Sequence, residues 1–291
     1  MECGSARKTR IFNRTCRTYS TYNGSMIRSI LFPTDFSAVA NSAFPLAVAL
    51  AAQFDSIVHS VHISHGGDPH ITETSRYEFP GLPTGSSAVR VIEAIVPKGD
   101  DDPAQVIMRH AGERLCELIV MASHGRSDVA QFFLGRSVAE QVARDSKIPT
   151  IIARLYGPRR TTRPIDRFKR ILYVTDLREE SKHILTVAVA IANKTRADLE
   201  TLCIFNEGDE EPADGGRSTL ERFFSEAGSA CGKFRRLHGG VGDEVVEYAG
   251  RHKADLVAIT TALGSGGDPK LTDTAEFILR NAPCPVLCVR P

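Results

Sequence analysis

The chain has no tryptophan, and aromatic residues make up only 7% of its 291 residues. So sparse a set argues against the stacking platforms on which single-stranded nucleic acid is held. A charge of one sign is also missing. Thirty-six Lys and Arg stand against 35 Asp and Glu, a net of +1, so no global field steers the chain toward nucleic acid. No apolar run approaches the ~18–20 residues that a membrane span needs. The seven cysteines (Cys3, Cys16, Cys116, Cys203, Cys231, Cys284 and Cys288) are odd in number and form no CxxC. That excludes a disulfide framework and fits a reducing compartment, so a cytoplasmic location is expected. Cys284 and Cys288 lie in the apolar run APCPVLCVR. On a strand they share a face about 13 Å apart and read as small buried hydrophobes. GxxxxGK, GxSxG and HExxH are all absent. No residue stands out as a poised general base, so any turnover is expected to be slow.

What is present is ordinary globular usage: 42% apolar and 24% charged residues. The length suits two domains or one large one. Residues 1–25 are an exception, with Arg7, Lys8, Arg10, Arg14 and Arg17 against Glu2 alone and no amphipathic repeat. They read as a basic extension, either a disordered arm or transit peptide, or a mis-assigned start with translation beginning at Met26. The second reading is preferred.

The chain repeats itself. RSILFPTDFS (28–37) is echoed by KRILYVTDLR (169–178), which sets Asp35 and Asp176 141 residues apart. ELIVMASHG (117–125) is echoed by DLVAITTAL (255–263), and VAEQVARDSKIPTIIAR (138–154) by TAEFILRNAPCPVLCVR (274–290). Three blocks in one order mean a tandem duplication of a whole domain. The expected boundaries are 26–154 and 168–291, joined by a Pro-, Gly- and Arg-bearing linker at 155–167.

Each copy alternates strands and helices. In the first copy SILFPTD, SIVHSVHIS, VRVIEAIV, LCELIVMAS and PTIIAR read as strands. SAVANSAFPLAVALAAQF reads as a helix capped by Ser37 and kinked at Pro45, and PAQVIMRHAGER as a helix with Pro103 in its first turn. SVAEQVARDS is a further helix, and in the second copy STLERFFSEAGSA (218–230) is another. The fold class is α/β: two tandem Rossmann-like, doubly wound domains, each with a mostly parallel five-stranded sheet. Residues 66–88 are rich in proline and glycine without helical period. A missing crossover helix or a long loop is expected there.

In such a sheet, ligands bind outside the carboxyl ends of the strands. Asp35 ends the first strand, and MASHGRS ends the fourth, with Gly135 nine intervening residues beyond Gly125. Glycines permit close backbone approach, free N–H groups at the next helix start make an anion site, and Ser137 adds a hydroxyl. The electrostatic logic places phosphate at the fourth-strand turn and a base or ribose near Asp35. Tight-turn glycines with no ligand are the plainer alternative.

These motifs, ILFPTDFS, SVHIS, GDDDPAQVI, LIVMASHGRS, FFLGRSVAEQV and PTIIA, together resemble the universal stress protein family, and the second copy resembles it through ILYVTDL, GDEVVEYAGRHKADLVAI and TAEFILRNAPCPVLCV. The resemblance covers residues 27–154 and 168–291. It implies a stress-response protein. Family members that bind ATP are similar in a Gly-x2-Gly-x9-Gly-(Ser/Thr) motif. Here Ala122 takes the first position, Gly125 the second and Gly135 the third, and Arg136 intervenes before Ser137. The resemblance implies ATP or a related adenine nucleotide as ligand, with Mg2+ on the phosphates left open. It further implies Asp35, after Pro33 and Thr34, as hydrogen-bond partner of the adenine. Backbone at Ile63 would read the base edge. Backbone from Met121 through Ala122, His124, Gly125, Arg126 and Ser127, and from Gly135 through Arg136 and Ser137 to Val138, would cradle the phosphates. His124 could donate to a phosphate or satisfy the turn.

The second copy departs from the motif. Thr260, Thr261, Ala262 and Leu263 occupy its first part, and Thr272 and Asp273 stand where Gly and Ser are expected. Asp273 places negative charge where phosphate would sit, so this copy is expected to be degenerate and to serve as a structural pseudo-dimer partner. Asp176 is expected to cap a helix. Family members tend to pair through their last strand, here PTIIAR and PVLCVR, which a tandem can satisfy within one chain or between two in a homodimer. His59, His62, His65 and His70 suggest a metal cluster, but strand spacing separates them and metal is set aside. Asp100, Asp101 and Asp102 are read as carboxylates at a helix start. Two other functions stay open. One is an interaction module that binds no nucleotide, suggested by Ala122, Arg136 and residues 66–88. The other is a slow nucleotide hydrolase or transferase.

Overall fold

A computed structural model describes residues 27–64, 89–123, 137–153, 167–205, 212–238, 241–261 and 272–290. The basic extension, the 66–88 stretch, nearly all of the linker, and the turns at 124–136 and 262–271 lie outside these residues.

The first half runs β1 (Ser29–Pro33), α1 (Ala38–Asn41), α2 (Phe44–Phe54), β2 (Ile57–Ser64), β3 (Val91–Pro97), α3 (Pro103–Glu113), β4 (Leu118–Ala122), α4 (Val138–Asp145) and β5 (Thr150–Ala153). The second half runs β6 (Arg170–Thr175), α5 (Lys182–Thr195), β7 (Asp198–Phe205), α6 (Arg217–Glu226), β8 (Phe234–His238), α7 (Val241–Arg251), β9 (Leu256–Thr260), α8 (Asp273–Asn281) and β10 (Val286–Val289). The helix expected to kink at Pro45 is instead broken. α1 ends at Asn41, and α2 begins at Phe44 with Pro45 in its first turn. Proline has no N–H to give an earlier carbonyl, so it opens a new helix more readily than it continues an old one. Ser37 caps α1 by accepting from Ala40 N, and Asp102 caps α3 by accepting from Ala104 N, with Pro103 first in the helix.

All ten strands form one sheet in the order β3-β2-β1-β4-β5-β10-β9-β6-β7-β8. Within each half the pairs are parallel. The halves meet at one antiparallel pair, β5 with β10, in the register Ile152 to Val286, Ile151 to Leu287 and Thr150 to Cys288. Ile151 and Leu287 are counterparts in the repeat, so the seam is self-complementary about that pair, as a two-fold interface is. Last-strand pairing is therefore satisfied inside one chain.

Helices cover both faces. α2, α5 and α6 build one apolar layer, and α3, α4, α7 and α8 the other; each layer draws on both halves. Central strands are buried on both faces and read as continuous apolar runs. The edge strands are not: β3 and β8 keep exposed positions along their length. Cys116, Cys203, Cys284 and Cys288 are buried in these layers. Burial pushes the Cys288 thiol up to about 12 and the Cys284 thiol higher still, so both stay protonated and inert.

The repeat is visible in the backbone. Among the described residues, the non-glycine residues with positive φ are Phe36 and Leu177, Asp55 and Arg196, Leu115 and Lys253. Each pair occupies one position of the two copies. A left-handed residue other than glycine costs roughly 1 kcal/mol, and each copy accommodates the same three.

Candidate functional site

The strand order of the first half turns back between β1 and β4: the chain moves outward from β1 to β2 and β3, then returns to place β4 on the other side of β1. This is the switch point where a doubly wound sheet opens a crevice at its carboxyl ends. Pro33 and Thr34 bring β1 to it, Met121 and Ala122 bring β4, and Ile63 lies near the end of β2. Pro33, Thr34 and Met121 are buried, Ile63 and Ala122 half-buried, and Asp35 is exposed.

The turn after β1 is fixed by its own side chains. Thr34 Oγ1 accepts from Phe36 N at 2.9 Å and donates to Asn41 Oδ1 at 2.8 Å, while Asn41 Nδ2 donates to Phe36 O at 3.2 Å. This latch holds Phe36 at φ 62° and turns Asp35 outward. Asp35 Oδ1 accepts from Ser37 N at 2.9 Å, which leaves its second oxygen as an acceptor at the crevice. Sequence reasoning gave His62 no place in the site. Its Nδ1 meets Thr34 O at 3.0 Å, its ring lies 4.6 Å from that of Phe36, and its Nε2 is buried without a partner. The available signal was its place on the strand beside β1.

Ser137 is the N-cap of α4 and accepts from Glu140 N at 3.2 Å, with Val138 first in the helix. His124, Gly125, Arg126, Ser127, Gly135 and Arg136 lie outside the described residues. The described part of the candidate site is its rim: Asp35 on one side, Ala122 and the start of α4 on the other. No group of three or more His, Cys, Asp or Glu side chains is arranged for a metal among the described residues. The acidic triplet is accounted for by Asp102 as helix cap and by Asp101 paired with Arg109.

The second half builds the same turn differently. Thr175 Oγ1 accepts from Leu177 N at 2.9 Å, as Thr34 does for Phe36. Asp176 is not a helix cap, as expected from sequence, but a turn residue: its Oδ1 accepts from Arg178 N at 3.1 Å, and Arg178 Nε stands 3.3 Å from its Oδ2. Both carboxylate oxygens are engaged. Leu177 packs against the turn at Gly216, while Gly215 packs against Arg236. A Cβ at Gly216, where φ is 86°, would come within 2.3 Å of Leu177 Cδ1. Thr272 caps α8 by accepting from Ala275 N, with Asp273 first in the helix. By the core register, in which Ala275, Ile278 and Leu279 match Ala139, Val142 and Ala143, Asp273 stands at the place of Ser137. The cap has moved one residue earlier.

A doubly wound α/β unit, present twice and joined edge to edge, is thus the class of protein that the fold defines. The model of the universal stress protein family matches residues 26–154 and again 167–290. The chain belongs to that family. It is 24% identical over 153 residues to a universal stress protein of Methanocaldococcus jannaschii, covering 45% of this chain and 84% of that protein. A Pseudomonas aeruginosa protein described as functionally unknown has the same fold, with a TM-score of 0.68 at 17% identity over 93% of this chain and 95% of its own. So does a universal stress protein of Archaeoglobus fulgidus, with a TM-score of 0.66 at 17% identity over 91% and 97%. Among the described residues no helix is long and apolar enough to cross a membrane.

Proposed function

We propose that the first half binds ATP or a related adenine nucleotide at the carboxyl ends of β1 and β4, as a conformational or regulatory ligand of a stress-response protein. The second half is its structural partner. The observation that carries this reading is the switch point itself. The strand order turns there, Ala122 ends β4 beside it and Ser137 caps α4, and in sequence Gly125 and Gly135 fall between those two residues.

The groups fit the ligand. The open oxygen of Asp35 can accept from the adenine amino group, and the backbone near Ile63 can pair with the base edge. Ser137 uses its oxygen to cap α4 and keeps its proton for a phosphate. Backbone N–H groups at the start of α4 add the positive end of the helix. In the second half Arg178 stands 3.3 Å from Asp176 in an exposed pair and competes for its second oxygen, and Asp273 sets a carboxylate at the helix start, where it repels phosphate.

Equilibrium binding of labelled ATP to the wild type and to Gly125→Val tests this. Saturable binding at one site per chain is expected, weakened by about tenfold or more in Gly125→Val, where a branched side chain enters a turn built for backbone approach. Absence of saturable binding in the wild type removes the reading. Binding that survives Gly125→Val and is lost in Asp176→Ala moves the site to the second half.

A further inference from the structure

The second half carries a basic groove at a position where the described residues of the first half place other side chains. It runs along the edge strand β8 beside α7, encloses about 590 Å³, and is lined by Arg235, Arg236, His238, Tyr248, Arg251 and His252. A continuation of about 450 Å³ reaches Arg170 and Lys233 and also the carboxylates Asp198 and Glu200, so the anion-binding part is the end at Arg235 and Arg251. Arg170 and His252 belong to the amino-terminal ends of the strands and the carboxyl end of α7. The groove therefore extends away from the strand-end crevice of its own half.

Its floor is a stack. The rings of Tyr248 and His252 lie 3.9 Å apart at 20°, and the Arg235 guanidinium sits 5.6 Å from the Tyr248 centroid. Tyr248 is buried and donates to Glu200 at 2.7 Å. Two of its arginines, Arg235 and Arg251, are only lightly held. Arg235 Nε is 3.4 Å from Glu200 and Arg251 Nε is 3.5 Å from Glu247, with side-chain exposures of 59% and 64%. Contacts that long are weak, so both guanidinium forks can turn to a better acceptor.

The fold does not require these arginines. Strand pairing and the helix ends superpose the two halves, so the first half shows what the same position holds without them. Ala94 stands for Arg235, Ile95 for Arg236 and Glu113 for Arg251. The first half folds with an alanine, an isoleucine and a carboxylate where the second half places three guanidiniums. A forked guanidinium matches phosphate oxygens two at a time, and a groove of this volume suits a small ligand rather than a macromolecular face.

We infer that the β8–α7 groove is a second anion site, which takes a compact oligophosphate or phosphate ester independently of the first-half crevice. Arg235 and Arg251 grip the phosphates, Lys233 adds positive potential, Arg236 stands at the edge with its side chain against Gly215, and the stacked Tyr248 and His252 form the floor.

The probe is inorganic tripolyphosphate, titrated calorimetrically into the full chain at low and moderate salt. The wild type is expected to bind saturably, more weakly as salt rises. The variant R235A/R236I/R251E, which installs the first half's own residues, is expected to bind at least about tenfold more weakly, with an unchanged circular dichroism spectrum. Gly125→Val is expected to keep the site. Should the triple variant misfold, Arg251→Glu alone, at an exposed helix end, gives the same reading. The inference is overturned by no saturable binding in the wild type, by undiminished binding in the arginine variants, or by a loss confined to Gly125→Val. A short single-stranded oligonucleotide held about tenfold more tightly than tripolyphosphate by the same arginines overturns the small-ligand assignment in favour of nucleic acid.

Discussion

The two halves are one architecture with different polar groups placed at matching points. Both fix the turn after their first strand with a threonine hydroxyl and a left-handed non-glycine residue. Both tie that strand to the next with a carboxylate, Glu117 on Ser29 N and Asp255 on Arg170 N. The polar groups diverge where the fold is indifferent. Asp35 keeps an open oxygen, whereas Arg178 stands 3.3 Å from the second oxygen of Asp176. His62 lies beside Thr34 in one half, and the corresponding strand position in the other holds the buried Cys203. Between β2 and α3 the first half buries His59 and His110, where the second buries the Tyr248–Glu200 hydrogen bond. Duplication kept the scaffold's constraints and released the rest.

The strongest way to break the comparison is at the seam that makes the halves one body. Leu287 is fully buried and faces Ile151 across β5 and β10. Leu287→Asp places an unpaired carboxylate in that layer and is expected to cost more than about 4 kcal/mol. Urea unfolding measures it, and a cost below about 1 kcal/mol would show that the halves do not depend on the seam.

Acid distinguishes the halves next. Burial, then Arg114, holds the His59 ring below its ordinary value, with His110 and Arg90 adding to the effect. Burial and Arg114 do the same for His110 against the opposing pull of Glu113. The unfolded chain therefore binds more protons below about pH 6.5, so stability is intact above that pH and falls as pH drops through it. The slope is bounded by about 1.4 kcal/mol per pH unit for each ring. Urea midpoints between pH 7.5 and 5.5 should fall in the wild type and fall less in His110→Phe; equal slopes would refute the assignment.

The smallest test sharpens the turns. Tyr173 is buried, its hydroxyl donates to Ser181 O at 3.0 Å, and burial pushes it up to about 12. Its counterpart in the first half is Phe32, which needs no such bond. Tyr173→Phe is expected to cost about 1 kcal/mol, read from thermal unfolding, and a neutral result would mean that the hydroxyl adds nothing to the second-half turn.

Much of this was legible in the residues. The repeat of ILFPTD as ILYVTD, with Asp35 and Asp176 at matching places, locates the first strand of each half and the crevice beside it. Apolar runs mark the buried strands, and Ser37, Pro103 and Ser137 mark helix starts. Pro45 signalled an interruption but not its form, because a kink and a break differ only in where the neighbouring carbonyls find partners. His62 was weighed only as one of four histidines, because its contact is with a carbonyl 28 residues away. The basic groove was hidden for the same reason: Arg170, Arg235 and Arg251 are scattered in sequence, and only strand register and helix packing gather them.

The sequence by itself determined the α/β class, the duplication and the asymmetry of the glycine motif, because these follow from local periodicity, from self-similarity and from which residues permit close backbone approach. Tertiary structure alone decided two things: that the last strands pair within one chain, and that one sheet edge is basic. Each depends on groups distant in sequence being brought within a few ångströms, which is a property of the packed chain and of no segment in it.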